Sequence, residues 1–338
     1  METFEILARK KRSKFTLKIW LISFLAVFGT LTALYYGCKH LATYHRDQLQ
    51  HHVYNLSNIA YPNIQFDRWV TKSISPFSGT FRADRYKTIA GIEVPYESFE
   101  GAYSISQHTI DLAREDIVKS ASYYTTFGLR QKYPQFFSLD AEMAEQIPPH
   151  HDLAYTSQMQ GQLIEVAITF DKGYTFSEIQ DKIPVELSIN WYWIGPLSNY
   201  DMWVGPADLY GLKSYQRVWF NEEKRIGFQT EYEQFLYHLQ SENLQSYYKE
   251  EGIDQEIKKF IEKNRDGSKT QFAGVILTGR AEDFAGLENA DWIYASSIGA
   301  STQNQPYYQL DPKFQVELSH PKEIHSATCS PSIFWGSC

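Results

Sequence analysis

Cysteine is nearly missing from this 338-residue chain, which has three, at Cys38, Cys329 and Cys338. That is too few to staple a disulfide scaffold, so the fold has to rest on apolar burial. Cys329 and Cys338 bracket CSPSIFWGSC. They can pair into a small loop in an oxidising compartment or stay as two thiols on a frayed tail. HExxH, GxxxxGK[ST], GxSxG and paired CxxC are absent too, the spacings that place zinc ligands, cradle phosphates or expose a nucleophilic serine. The expectation is a protein that is not an enzyme, with no cofactor, no metal and no catalytic residue. Concentrated positive charge is lacking beyond residue 18. Residues 1–18 hold six Lys or Arg against two Glu, a balance of +4, and the rest carries the −12 that completes the net −8. Nucleic-acid binding needs clustered cations to displace counterions, so no direct DNA binding is expected.

Charge of either sign is missing between Lys18 and Lys39, in KIWLISFLAVFGTLTALYYGCKH. A helix crosses about 30 Å of hydrocarbon with roughly 20 residues, and 19–38 supply that length, so one transmembrane helix is predicted. A cleaved signal has an apolar core of about 7–15 residues closed by small residues. This run is longer and ends in Leu34-Tyr35-Tyr36-Gly37, which favours an uncleaved anchor. Gly37-Cys38 has the junction of a lipid-attachment site, but two tyrosines stand where an aliphatic and a small residue belong, so lipidation of Cys38 is the weaker reading. Arg9, Lys10, Lys11, Arg12, Lys14 and Lys18 set the orientation, because short Lys/Arg-rich segments stay on the cytoplasmic side. The expected topology is single-pass in the cell membrane, N-terminus cytoplasmic, C-terminal part extracytoplasmic.

Six segments follow: a basic tail (1–18), the transmembrane helix (19–38), a helical stalk (39–62) ending before Pro62, an α+β region near the membrane (63–155), a C-terminal domain (156–300) and an irregular tail (301–338). His40, His45, His51 and His52 lie along the stalk without i, i+4 spacing, and read as polar residues on a solvated surface rather than ligands. Short aromatic runs broken by Pro76, Gly79, Gly91 and Pro95 predict strands over 63–105. IDLAREDIVKSASYYTTFGL is read as a helix. QLIEVAITF alternates like a strand with one better-buried face, FSEIQ is a short helix entered after Thr175, and VELSINWYWIG is a second strand. Two helices are expected from TEYEQFLYHLQSENLQSYY and EEGIDQEIKKFIEKNRDG, then a strand in FAGVILTG, a turn or two of helix and a last strand in DWIYASSIG. The fold class is α+β: a large outer domain, or two packed subdomains, behind one transmembrane helix.

Among candidate site residues, Trp191, Tyr192 and Trp193 stand out, because three large aromatics in a row cannot all enter one core; core and interdomain packing competes with a ligand or partner surface. Gly274, Thr278 and Gly279 in GVILTG flank a buried strand where backbone N–H groups can hold an anion, although a tight turn needs the same glycine. Asp171, Glu178 and Asp181 can be drawn as paired acids but read better as a solvated helix face, and His150-His151-Asp152 offers a weak metal pattern.

QLIEVAITFDKGYTFSEIQDKIPVELSINWYWIG resembles the C-terminal domain of bacterial sigma factor regulators, the membrane-anchored anti-sigma proteins of Gram-positive bacteria, which carry a similar E-V-x-x-S/T-F-D-K-x-Y-T strand and a following W-Y-W. FAGVILTGRAEDFAGL is similar to the same family's G-x-x-x-T-G strand, and the basic residues leading into one span match its N-terminal segment. The resemblance implies an external domain that senses envelope state and controls an extracytoplasmic-function sigma factor. Residues 1–18 are short for holding a sigma factor, since a stable interface takes roughly 20–30 residues a side. A small membrane partner would then help, or this chain would be the sensory subunit. The alternative is an external binding module for a cell-wall or peptide ligand with no sigma factor contact; an envelope enzyme has least support.

Overall fold

The computed structural model describes residues 2–111, 116–119, 124–128, 131–196, 209–214, 228–241 and 253–304. Helix α1 runs unbroken over Glu2–Ile59, 58 residues or about 87 Å at 1.5 Å per residue. From Ile19 to Tyr36 its large apolar side chains are exposed on every side, among them Trp20, Phe24, Leu25 and Phe28. It is the one described helix long and apolar enough to cross a membrane. Beyond residue 38 the pattern changes. Ala42, Leu49, Val53, Leu56 and Ile59 are buried at helical spacing, which lays one face of α1 on the folded part. That face of the stalk is packed rather than solvated, and it takes in His52, 4% exposed, whereas His40 and His51 are exposed. Burial, with His108 nearby, pushes the His52 imidazole down to about 4. The reason is local, because His52 falls in phase with the buried stripe.

Four antiparallel strands meander beside α1: β1 (Ile64–Ser75), β2 (Ser78–Ile89), β3 (Ile92–Tyr103) and β4 (His108–Asp111). Ala90 (φ 48°) and Gly91 (φ 85°) form the two-residue β2–β3 turn. Positive φ at both positions matches the twist of a tight hairpin. β2 alternates buried and exposed residues, and its Phe81 and Ala83 join Leu49 and Val53 of α1 and Phe99 of β3 in a small core. Within 110–129, read as a helix, the described residues are extended instead, in β4, β5 (Asp116–Lys119) and β6 (Tyr124–Gly128), with β7 (Gln131–Lys132) pairing to β6. Ile110, Ile117, Val118, Tyr124, Thr125 and Thr126 are β-branched or aromatic, types that favour the cross-strand pairing seen in β4, β5 and β6.

After α2 (Ala141–Gln146) and a 3₁₀ helix (Asp152–Gln158), the larger sheet begins. Its strands are β8 (Gln162–Thr175), β9 (Ser188–Trp193), β10 (Gly211–Lys213), β11 (Gln271–Arg280) and β12 (Ile293–Gln303). They lie in the order β10-β9-β11-β8-β12, every pair antiparallel. α3 (Phe176–Lys182) joins β8 to β9 and starts in a capping box between Thr175 and Glu178. α4 (Phe228–Leu239) and α5 (Ile253–Lys263) precede β11, contributing Tyr232, Phe235, Leu239, Ile257 and Ile261 to the main core. β8 is buried on both faces from Leu163 to Phe170, not on one, because core residues cover the sheet on each side. β12 continues to Gln303, three residues into the segment expected to be irregular.

Candidate functional site

Helix α1 stops where Pro62 removes a backbone donor and Tyr61 turns left-handed (φ 59°), followed by Asn63 (φ 53°). The four residues 61–64 are buried, so their polar groups must find partners inside the protein. Asn63 finds them in both sheets. Its Nδ2 donates to the Thr88 carbonyl of β2 at 3.0 Å and to Glu165 Oε1 of β8 at 2.7 Å. Its Oδ1 accepts from Asn190 Nδ2 of β9 at 2.8 Å. Asn190 donates its second hydrogen to Thr88 O (2.8 Å) and accepts from Thr278 Oγ1 of β11 (3.0 Å). Every side-chain donor of the two amides is used.

A buried ion pair anchors this network. Lys87 Nζ of β2 lies 2.7 Å from Glu165 Oε2, with the two side chains 1% and 0% exposed. Glu165 Oε2 also accepts from the Ala300 N–H of β12 at 3.1 Å. The ammonium sits over the rings of Tyr96 (5.3 Å) and Tyr133 (5.1 Å), a face that holds a desolvated cation. Beside it, Arg85 covers the rings of Tyr61, Phe66 and Tyr96, and Lys213 of β10 donates to the Ile64 carbonyl at 3.0 Å. Full burial pushes the Lys213 ammonium down to about 7. One turn earlier on α1, Asn55 donates to Ser241 Oγ (2.8 Å) and pairs with His238 Nδ1 of α4 (3.1 Å). The end of α1 is thus bolted to β2, β8, β9, β10 and α4 by directional bonds in a dry interior. There such bonds hold only near one geometry, and an unpaired partner is costly.

The second feature is an open cleft of about 510 Å³ at the end of β8, lined by Asp171, Lys172, Tyr174, Glu178, Asp181, Lys182, Asp291 and Trp292. Tyr174 donates its hydroxyl to Asp171 Oδ1 at 2.8 Å. Desolvation and that hydrogen bond push the phenol up to about 12. The Lys182 ammonium sits 4.8 Å from the Tyr174 ring and 5.7 Å from Trp292. Glu178 is committed to the Thr175 hydroxyl and N–H, which hold its carboxyl below the usual range, so it is not poised to deliver a proton.

The residues singled out from sequence fall in several places. Trp191, Tyr192 and Trp193 are 0, 2 and 1% exposed and form core, not surface. Phe136 stacks on Trp193 at 4.7 Å and tilts over Trp191, while Tyr192 packs on Phe176 and Phe272 and accepts from Gln180 Nε2. Gly274, Thr278 and Gly279 lie within β11, not at a helix start, and Thr278 belongs to the buried network. Arg9, Lys10, Lys11, Arg12, Lys14 and Lys18 all lie on α1, the last four exposed. Cys38 is a free, half-buried thiol; Cys329 and Cys338 lie outside the described residues. His151 forms an isolated bridge with Ser296, and Asp152 pairs with Lys132 at 2.8 Å; no metal-holding group of three His, Cys, Asp or Glu occurs among the described residues. Asn63, Lys87, Asn190 and Lys213 escaped the sequence reading. Lys87 carried a signal, since it shares the phase of Phe81, Ala83 and Ile89 along β2, and Glu165 is the one charge in the run LIEVAITF.

In comparison with known proteins, residues 5–94 match the family described as Sigma factor regulator N-terminal, and residues 157–300 match Sigma factor regulator C-terminal. The first match covers α1 through the start of β3, and the second covers the larger sheet, so the Lys87–Glu165 pair joins the two matched segments. No curated protein and no solved structure matches the chain.

Proposed function

The chain belongs to the sigma factor regulators, and from that premise we propose that it is a membrane-anchored regulator of an extracytoplasmic-function sigma factor, as the anti-sigma factor or its sensory subunit. The basic segment 1–18 lies in the cytoplasm, 19–38 span the membrane, and the sheets stand outside, where they sense the state of the envelope. The observation that carries this reading is the continuity of α1: one helix runs from the basic segment through the apolar stretch into the buried network, without a break. A continuous helix transmits a shift or rotation of its outer end to its inner end, whereas a loop would absorb it. The open cleft between Asp171 and Trp292 is the place on the outer domain for a polar envelope ligand of mixed charge.

Two measurements test it. Deleting the gene should raise transcripts from the promoters of one sigma factor, and unchanged transcripts would remove the regulatory reading. Protease added to intact protoplasts should digest the sheets and spare a tag fused ahead of Met1; the reverse pattern would invert the topology.

A further inference from the structure

Residues 64–75 of β1 lead away from the buried network and back along α1 toward the apolar stretch. Over 24 positions of helix, Tyr35 to Ile59, α1 advances about 36 Å. The 11 steps of β1 from Ile64 to Ser75 advance about the same at 3.3 Å each. The tip of the β1–β2 hairpin consequently returns to the level of Tyr35, and the rings of Phe77 and Tyr35 meet at 5.4 Å. Tyr35 lies three positions inside the end of the 19–38 segment, about 4.5 Å below its outer limit. The hairpin presents Ile74 (69% exposed), Val70 (48%) and Trp69 (39%) to the surroundings. Between the hairpin and the helix is a cavity of about 400 Å³, lined by Tyr35, Lys39, Arg46, Ser73, Ser75 and Tyr103 among others. The apolar tip therefore lies where acyl chains begin. Lys39 stands one position past the span and Arg46, paired with Asp47 at 2.8 Å, eight, at about 1.5 and 12 Å beyond its end, the layer of the lipid phosphates.

We propose that the β1–β2 hairpin is a second membrane contact, seating Ile74 and Phe77 in the outer leaflet while a phospholipid head group occupies the cavity beside Lys39 and Arg46. The inference rests on the membrane-anchored reading above and adds a sensor to it. The bilayer surface holds one end of a two-stranded ribbon whose other end pairs Ile64 with Lys87, within the network that grips α1. Thinning, loss of anionic lipid or insertion of a foreign amphiphile at the surface would then displace the ribbon relative to the span.

The test uses the full chain in vesicles of phosphatidylcholine and phosphatidylglycerol, with its three cysteines replaced by serine and one fluorophore-labelled cysteine introduced at a time. The label sites are Leu25→Cys in the span, Ile74→Cys, Lys72→Cys and Val70→Cys along β1, and Val185→Cys between α3 and β9 of the larger sheet, all at exposed positions. Quenching by acyl-brominated lipid should be strong at Leu25, at least threefold above Val185 at Ile74, and fall from Ile74 through Lys72 to Val70. A quenched Leu25 with Ile74 no different from Val185 overturns the hairpin contact and leaves the anchor standing. An unquenched Leu25 removes the anchor itself. Pro76→Asp, at an exposed tip position, should cut quenching at Ile74 at least twofold without changing Leu25; no change there also counts against the proposal.

Discussion

Glu165→Gln is the substitution that tests the joint most directly. Glutamine keeps the length and planarity of the side chain, so Asn63 can still donate to an oxygen, but the Lys87 ammonium loses its only ion-pair partner among the described residues. Both side chains are essentially inaccessible to water, so the cation cannot recover its hydration. Removing one partner of such a pair costs about 3–5 kcal/mol, an order-of-magnitude figure for the uncompensated charge. In a domain of this size that lowers the melting temperature by roughly 6–20 °C. The assay is a thermal melt of the full chain in detergent, followed by near-ultraviolet dichroism, which reports the packed aromatics around Trp191. Lys87→Met combined with Glu165→Gln should recover more than half of the loss, because the double variant leaves no unpaired charge in the place of the Lys87–Glu165 pair. In cells the single variant should shift sigma-dependent transcription toward the level of the deletion strain. A melt within about 1 °C of the wild type, or a double variant as unstable as the sum of the singles, would refute the assignment of the pair as the bolt.

Acid should loosen α1 from the outer domain. An unfolded histidine takes its proton near 6.5 and buried His52 near 4, so the unfolded chain binds more protons in between. Stability then falls as the pH drops from about 6.5 to 4, by about 3 kcal/mol in all, and levels off below. Melts at pH 7.5 and 4.5 check this, and His52→Gln should lose visibly less than the wild type. Gly274→Ala drives a methyl group into the Ile168 carbonyl of β8 and the Phe136 ring, and should cost at least about 1–3 kcal/mol by urea titration. Trp193→Ala opens a hole beneath Phe136 and should cost about 3–5 kcal/mol in the same titration. A loss under 1 kcal/mol in either would mean that the sheet is not packed as described.

Local chemistry made much of the fold legible. Apolar length and spacing mark α1 from residue 19 onward and the cores of α4 and α5, Thr175 marks the entry to α3, and Gly91 marks a turn, whereas the helical course of residues 2–18 carries no such signal. The strands β4, β5 and β6 fall in a stretch whose alanines and acidic residues favour helix locally, whereas strand pairing depends on the partner strand and not on the propensity of one window. The joint was hidden for the same reason. Asn63 and Glu165 are 102 positions apart, and Asn63 and Asn190 are 127 apart. A buried carboxylate in a strand and a lysine in phase with Phe81, Ala83 and Ile89 are each odd alone, and only the fold makes them a pair. Of the two readings that the tryptophans leave open, core packing is the one the fold takes up: alternation sends Trp191 and Trp193 to one side and Tyr192 to the other, and both sides are covered.

Glu165 also ties the finished joint to the order in which the chain is made. Its last partner, the Ala300 N–H, is synthesised roughly 240 residues after Asn63. At about 5–20 residues per second that interval is on the order of tens of seconds. For most of it, α1 has left the ribosome and entered its bilayer on the proposed topology, while the last of the groups that grip its outer end is still unmade. A product cut short before β12 would keep its place in the membrane but leave Glu165 short of a donor. It would compete for the same inner partners as the complete chain while being deaf to the outside. Nonsense mutations late in the gene should therefore act dominantly, and those ahead of residue 19 recessively.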